Sequence, residues 1–174
     1  VKDKIRTLSS AIRVLTTVAL WLSATGLVLM TAFIAWQVYG RFVLNDTPTW
    51  TETSSVLLMG WFILLGAAVG IREGNHLSFD VLLFVLPDRV KRVFYTVSDI
   101  VVIAFALGMV VYGIQLASNA WSTTIPNLGF SGGIVFLALI CGGILMVLFS
   151  VERILRRMVG LPTARFGEDP VEED

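Results

Sequence analysis

Apolar residues come in four long runs separated by short polar stretches, and each run is too uniformly apolar for a helix on a soluble domain. The first covers residues 14–38, interrupted only by Ser, Thr, Gly26 and Gln37. At 1.5 Å per residue such a run crosses the ~30 Å hydrocarbon core. Trp21 and Trp36 lie toward its two ends, where amphipathic rings favour the headgroup zone. The other runs cover residues 53–71, 93–117 and 130–151. The pattern predicts an all-α membrane protein whose four transmembrane helices form a single domain over residues 1–158.

The stretches between the runs add detail. Residues 40–48 read as a short loop. Thr49-Trp50-Thr51-Glu52 then has the spacing of a capping box, Thr49 taking one orphan N–H and Glu52 reaching back to another. Gly66 and Gly70 form a GxxxG with Ala67 beside it, a flat face for close packing of another backbone. After a polar turn over 72–76, residues 77–86 are apolar but cover only ~15 Å as a helix, half the core. Broken by Asp80 and closed by Pro87, this piece is expected to be a short interfacial helix. Arg89, Arg92, Thr96 and Asp99 recur at helical spacing and give the third span a polar face as it enters. The loop 119–129 contains Pro126 and no charge. Residues 159–174 finish in EDPVEED and are expected to form an acidic, disordered cytoplasmic tail.

Composition agrees with a polytopic membrane protein: 56% of the 174 residues are hydrophobic and 15% charged, with a mean hydropathy of +0.81. The formal net charge of zero matters less than where the charges fall. Lysine and arginine number four before the first span, four between the second and third, and four after the fourth; the two other loops hold only Arg41. That bias predicts both termini on the cytoplasmic side. A basic leader before an apolar run is also the shape of a signal peptide, but this run is too long and lacks a small-residue cleavage site, so it counts as a span. The single cysteine, Cys141, sits in an apolar run and reads as a small core residue; with it and one histidine, His76, the chain offers no disulfide framework and no multi-histidine metal site.

Few polar residues invite a functional reading. Asp99 is expected roughly 9 Å inside the hydrocarbon, where a carboxylate needs a partner, water or a proton. It is expected to link to another helix or subunit, or to bond within the chain to Arg72, a hydroxyl or water. Glu52 is explained by the capping box, with a partner contact as the alternative. His76 and Asp80, four apart, share a helix face and suit a surface hydrogen bond. Trp50 and Trp121 read as interfacial anchors, with partner contact second. Absences say more. A self-sufficient transporter uses a broken helix or a mid-membrane charge to hold its substrate, and none of the four runs has either. No nucleotide loop, no Ser/His/Asp arrangement and no extramembrane catalytic domain is visible, so no enzyme and no cofactor is expected.

Trp50 and Glu52 opening the second span, Gly66-Ala67-Ala68, the run Arg72-Glu73-Gly74-Asn75-His76-Leu77 with Asp80, and Pro87 before a basic helix start together resemble the DctQ-like family. This is the small membrane subunit of tripartite ATP-independent periplasmic (TRAP) transporters, and the resemblance covers residues 10–155. Two positions depart from the family pattern: Thr53 stands where a second acidic residue is frequent, and Asn127-Leu128-Gly129 where aromatics commonly follow the proline of the last outer loop. The resemblance implies two protein partners, a larger multi-span TRAP membrane subunit holding the substrate and sodium sites and a periplasmic substrate-binding protein. It also implies uptake of an organic anion by ion gradient without ATP. The small chain would be a fixed buttress set in membrane lipid, with Trp50, Glu52, Gly66, Gly70, Arg72, His76, Asp80 and Asp99 as candidate contact or structural residues. Ending at residue 174, it is expected as a separate subunit and not a fusion. Two rivals stand beside this reading: a self-contained homodimeric exporter relying on Asp99, and a membrane anchor for an enzyme or sensor.

Overall fold

The computed structural model describes residues 2–73 and 88–159, with side chains from residue 9 onward except 88, 89, 91 and 92. The expected interfacial segment 77–86, His76, Asp80 and the acidic tail lie outside the described residues. Among the described residues four helices are long and apolar enough to cross a membrane: α1 (Lys2–Tyr39), α2 (Thr49–Glu73), α3 (Asp88–Ala120) and α4 (Ile134–Met158). All four expected spans are present, and each helix runs past its expected limits on at least one side. Helix α4 begins later than residue 130 because residues 121–133 form a tight loop. There Ile125 N–H donates to the Phe130 carbonyl at 2.7 Å, and Asn127 and Gly129 take left-handed backbone angles.

The loop expected at 40–48 is mostly absent. Helix α1 continues as a widened π-helical turn, Gly40–Leu44, ended by Asn45 at φ 53°. Gly40 is needed there: a Cβ would stand 2.7 Å from the Asp46 carbonyl oxygen and 3.0 Å from Pro48 Cδ. The expected capping box does not form. Thr49 already belongs to α2, and it is the Thr51 hydroxyl that donates to the Pro48 carbonyl, at 2.5 Å, while Glu52 is exposed. Proline just before a helix explains the shift, since its carbonyl is free to take this bond and its ring fixes the entering φ.

Neighbours in space run α1–α2–α4–α3. Along α1, Ser9, Ile12, Thr16, Ala19, Ser23, Gly26, Met30, Phe33, Gln37 and Gly40 are the covered positions from residue 9 to 40, and every residue between them is exposed. Their steps alternate three and four, the 3.5-residue repeat of a left-handed helix pair crossing at about 20°. Small residues let the backbones close in: Ser23 donates to the Phe62 carbonyl at 2.7 Å, and a Cβ on Gly66 would come 3.0 Å from Ser23 Oγ. Sequence patterning did not reveal this seam, because in a span that is apolar all round the packed and lipid-facing sides carry similar residues. Substituting Gly26 by leucine is expected to part α1 from α2, since its Cβ would already be 3.2 Å from that of Phe62. Disulfide trapping between engineered cysteines on the two helices would report the loss.

Helix α4 has the other close approaches. A Cβ on Gly142 would lie 2.8 Å from Leu64 Cβ of α2, and one on Gly143 would lie 2.9 Å from the Ala106 carbonyl oxygen of α3. Adjacent glycines thus admit a different helix on each side. Ile12, Ala68, Ile71, Ala106, Met109, Met146 and Phe149 pack into one cluster drawn from all four helices. Cys141 is a correction: it is exposed, and with Ile144, Leu148 and Val151 it follows the outward face of α4. A short apolar side chain fits either face, so burial could not be read from residue type alone.

Candidate functional site

The described ion pairs gather at one end of the helices, where α2 ends and α4 ends beside the beginning of α3. Helix α4 contributes Glu152, Arg153, Arg156 and Arg157, which at helical spacing share the side turned toward α2 and α3. Asp99 of α3 is 0% exposed, Glu152 3% and Arg153 5%. Arg157 donates to Asp99 Oδ2 and, at 3.5 Å, to the Thr96 hydroxyl, while its guanidinium lies 5.4 Å from the centre of the Tyr95 ring. Arg153 Nε is 3.7 Å from Asp99 Oδ1. One turn away, Arg72 Nε donates to Glu152 Oε2 at 3.2 Å, and Arg156 Nη1 is 3.7 Å from Glu152 Oε1.

Arg153 also donates to the Ile71 carbonyl near the end of α2. The last four carbonyls of a helix have no partner of their own and carry the negative end of its dipole. A guanidinium from another helix therefore completes α2 and fixes where α4 sits against it. Low dielectric makes each buried charge costly alone, and here every one meets an opposite charge or a carbonyl.

Asp99 thus links to another helix of the chain, one of the two outcomes expected, and does so through α4 and not through Arg72. Arg72 takes Glu152, and Asp99 takes Arg157 and Arg153. Of the four charges at the end of α4, only the three arginines counted in the sequence, and only toward orientation. The available signal was Glu152 placed among arginines: an acid inside a basic helix end is laid out for pairing. The remaining candidates are scattered. Trp50 stands at the opposite end, its ring edge-on to Phe33 at 5.4 Å, next to exposed Glu52. Gly66 serves the α1–α2 seam, whereas nothing lies within 4 Å of a Cβ added to Gly70. Among the described residues no three of His, Cys, Asp and Glu come together as metal ligands would.

This chemistry holds helices together: each carboxylate of the cluster is held by arginines. The profile of the family described as tripartite ATP-independent periplasmic transporters, DctQ component, matches residues 30–160. The chain belongs to the DctQ family. Membership makes it a transporter component and not an enzyme, and with its four apolar helices a multi-pass protein of the inner membrane. Among its relatives is a sialic acid TRAP transporter small permease protein of Vibrio cholerae, 28% identical over 127 residues that are 73% of each chain. A C4-dicarboxylate TRAP transporter small permease protein of the same organism is 28% identical over 78 residues, 45% of this chain and 34% of that one. A sialic acid TRAP transporter permease protein of Haemophilus influenzae is 27% identical over 133 residues, 76% of this chain but only 21% of its own length.

Proposed function

We propose that this DctQ-family chain is the small scaffolding subunit of a TRAP transporter, bound to a larger multi-span membrane subunit that carries an organic anion. A periplasmic binding protein delivers the anion, and an ion gradient, sodium in the simplest case, drives its uptake. The observation that carries this reading is the self-contained charge cluster. Asp99, Glu152, Arg72, Arg153 and Arg157 are each spent on another helix of the same chain, and residues 14–38, 53–71, 100–117 and 130–151 hold no charge with which to grip a solute. The Haemophilus relative supports the partnership, since the matched region is about a fifth of a single permease protein. Relatives named for sialic acid and C4-dicarboxylates favour a carboxylate cargo. The charge bias puts both termini, and the cluster with them, on the cytoplasmic side. A homodimeric exporter would need Asp99 to exchange protons or ligands, and Asp99 is enclosed by two arginines.

Contact with the larger subunit belongs to the face of α2 that α1 and α4 leave open: Glu52, Val56, Met59, Ile63 and Ala67, with Gly70 at its inner end and Trp50 at its outer end. His76 and Asp80 follow that face in sequence and are assigned to the same contact. Purification of the tagged chain in mild detergent should bring down the larger membrane protein in fixed ratio. Gly70→Leu should deplete it strongly while leaving the small chain folded, because a Cβ added there meets nothing within 4 Å among the described residues. Undiminished recovery with Gly70→Leu would remove Gly70 from the contact; a chain recovered alone would remove the partnership.

A further inference from the structure

The end of α1 opposite the charge cluster carries a run of exposed large apolar side chains beyond the packed seam. Phe42 is 74% exposed, and Val43, Leu44, Trp36 and Tyr39 each about half. Arg41 is the one cation in this stretch, set 5.8 Å above the Phe42 ring centre. Among the described residues no carboxylate pairs with it; the neighbouring Asp46 engages Gly40 through its backbone N–H.

Depth follows from register. The contacts of Ser23 with Gly66 and of Gly40 with Pro48 bring Thr16 level with the end of α2, where the charge cluster marks one edge of the hydrocarbon. From Thr16 to Phe42 is ~39 Å of helix, or ~37 Å of depth at the ~20° tilt usual for spans. Hydrocarbon occupies ~30 Å and the whole bilayer 40–45 Å, so Tyr39 comes near the far edge of the hydrocarbon and Phe42 within the headgroup layer. Aromatic rings with a single arginine are the residues that layer favours.

We propose that the tip of α1 is a phospholipid anchor: Arg41 binds a lipid phosphate, and Tyr39, Phe42, Val43 and Leu44 lie among the headgroups and upper acyl chains. Lipid is the occupant because the depth matches, the charge is complementary and the patch wraps a helix tip without forming a groove for a peptide. The anchor holds the long α1 at a fixed depth and tilt against α2, independently of any partner subunit.

Spin labels in a Cys141→Ser background test it, with the full chain in nanodiscs of phosphatidylethanolamine and phosphatidylglycerol. Collision with oxygen and with a water-soluble nickel chelate is measured at F42C, at L27C in mid-span and at D46C on the loop. The label at 42 should fall between the other two, at headgroup depth. Arg41→Gln should shift the balance of inserted over withdrawn tip about fivefold toward water, and Arg41→Lys should not. A label at 42 as open to nickel as that at 46 would overturn the anchor. So would one shielded only when the larger membrane subunit is added, since a protein would then cover the tip. No change with Arg41→Gln would overturn the phosphate contact.

Discussion

Asp99→Asn is expected to destabilise the chain by about 3–5 kcal/mol, the loss seen when one member of a buried ion pair is removed and its partners stay charged. Arg157 and Arg153 would then face each other across a neutral amide at a site with 0% exposure on the α3 side. Equilibrium unfolding of the chain in mixed micelles measures it. Removing the whole group separates charge balance from shape: Asp99→Leu with Arg153→Met and Arg157→Met takes away all three charges, together with the bond from Arg153 to the Ile71 carbonyl. That triple variant should lose less stability than Asp99→Asn, because apolar replacement of a whole buried ionic group leaves no uncompensated charge. A single variant as stable as the parent would mean that water, not the arginines, holds Asp99.

The glycine pair of α4 gives the second large effect. Gly143→Ala puts a methyl 2.9 Å from a backbone oxygen of α3, and Gly142→Ala puts one 2.8 Å from Leu64 Cβ of α2. Neither neighbour is the free end of a flexible chain, so the helices must separate. Each change should cost about 1–3 kcal/mol as overpacking. Gly108→Ala meets nothing within 4 Å and should fall within about 0.5 kcal/mol of the parent. Lipid is as apolar as leucine, so helices here are held by fit and polar contact, and lost fit is not recovered by hydrophobic burial elsewhere. Losses at 142 and 143 no larger than the change at 108 would mean that the close approaches do not set the packing, since alanine is the better helix former at all three positions.

Both effects concern features that the sequence held unequally. The spans were legible because length and apolarity alone decide whether a helix can cross a bilayer. Membership of the family was legible from the run between Arg72 and Asp80. The α1 seam was not, since Ala19, Ser23 and Gly26 differ from their lipid-facing neighbours in size more than in polarity. Asp99 was visibly short of a partner, yet its partners could not be named. Arg72 and Arg157 are equally basic on paper, and only the packing of α4 between α2 and α3 decides which carboxylate each one reaches. The capping box failed for a local reason: Pro48 supplied a carbonyl one position before the expected cap.

Reconstitution into liposomes tests the scaffold reading most directly. The purified chain alone, given an inward sodium gradient and a labelled carboxylate such as sialic acid or succinate, should show no uptake above empty vesicles. Uptake should appear once the larger membrane subunit and the binding protein are supplied. Gradient-driven accumulation by the small chain by itself would contradict the account, because its helices would then hold a solute site that the paired charges leave no room for.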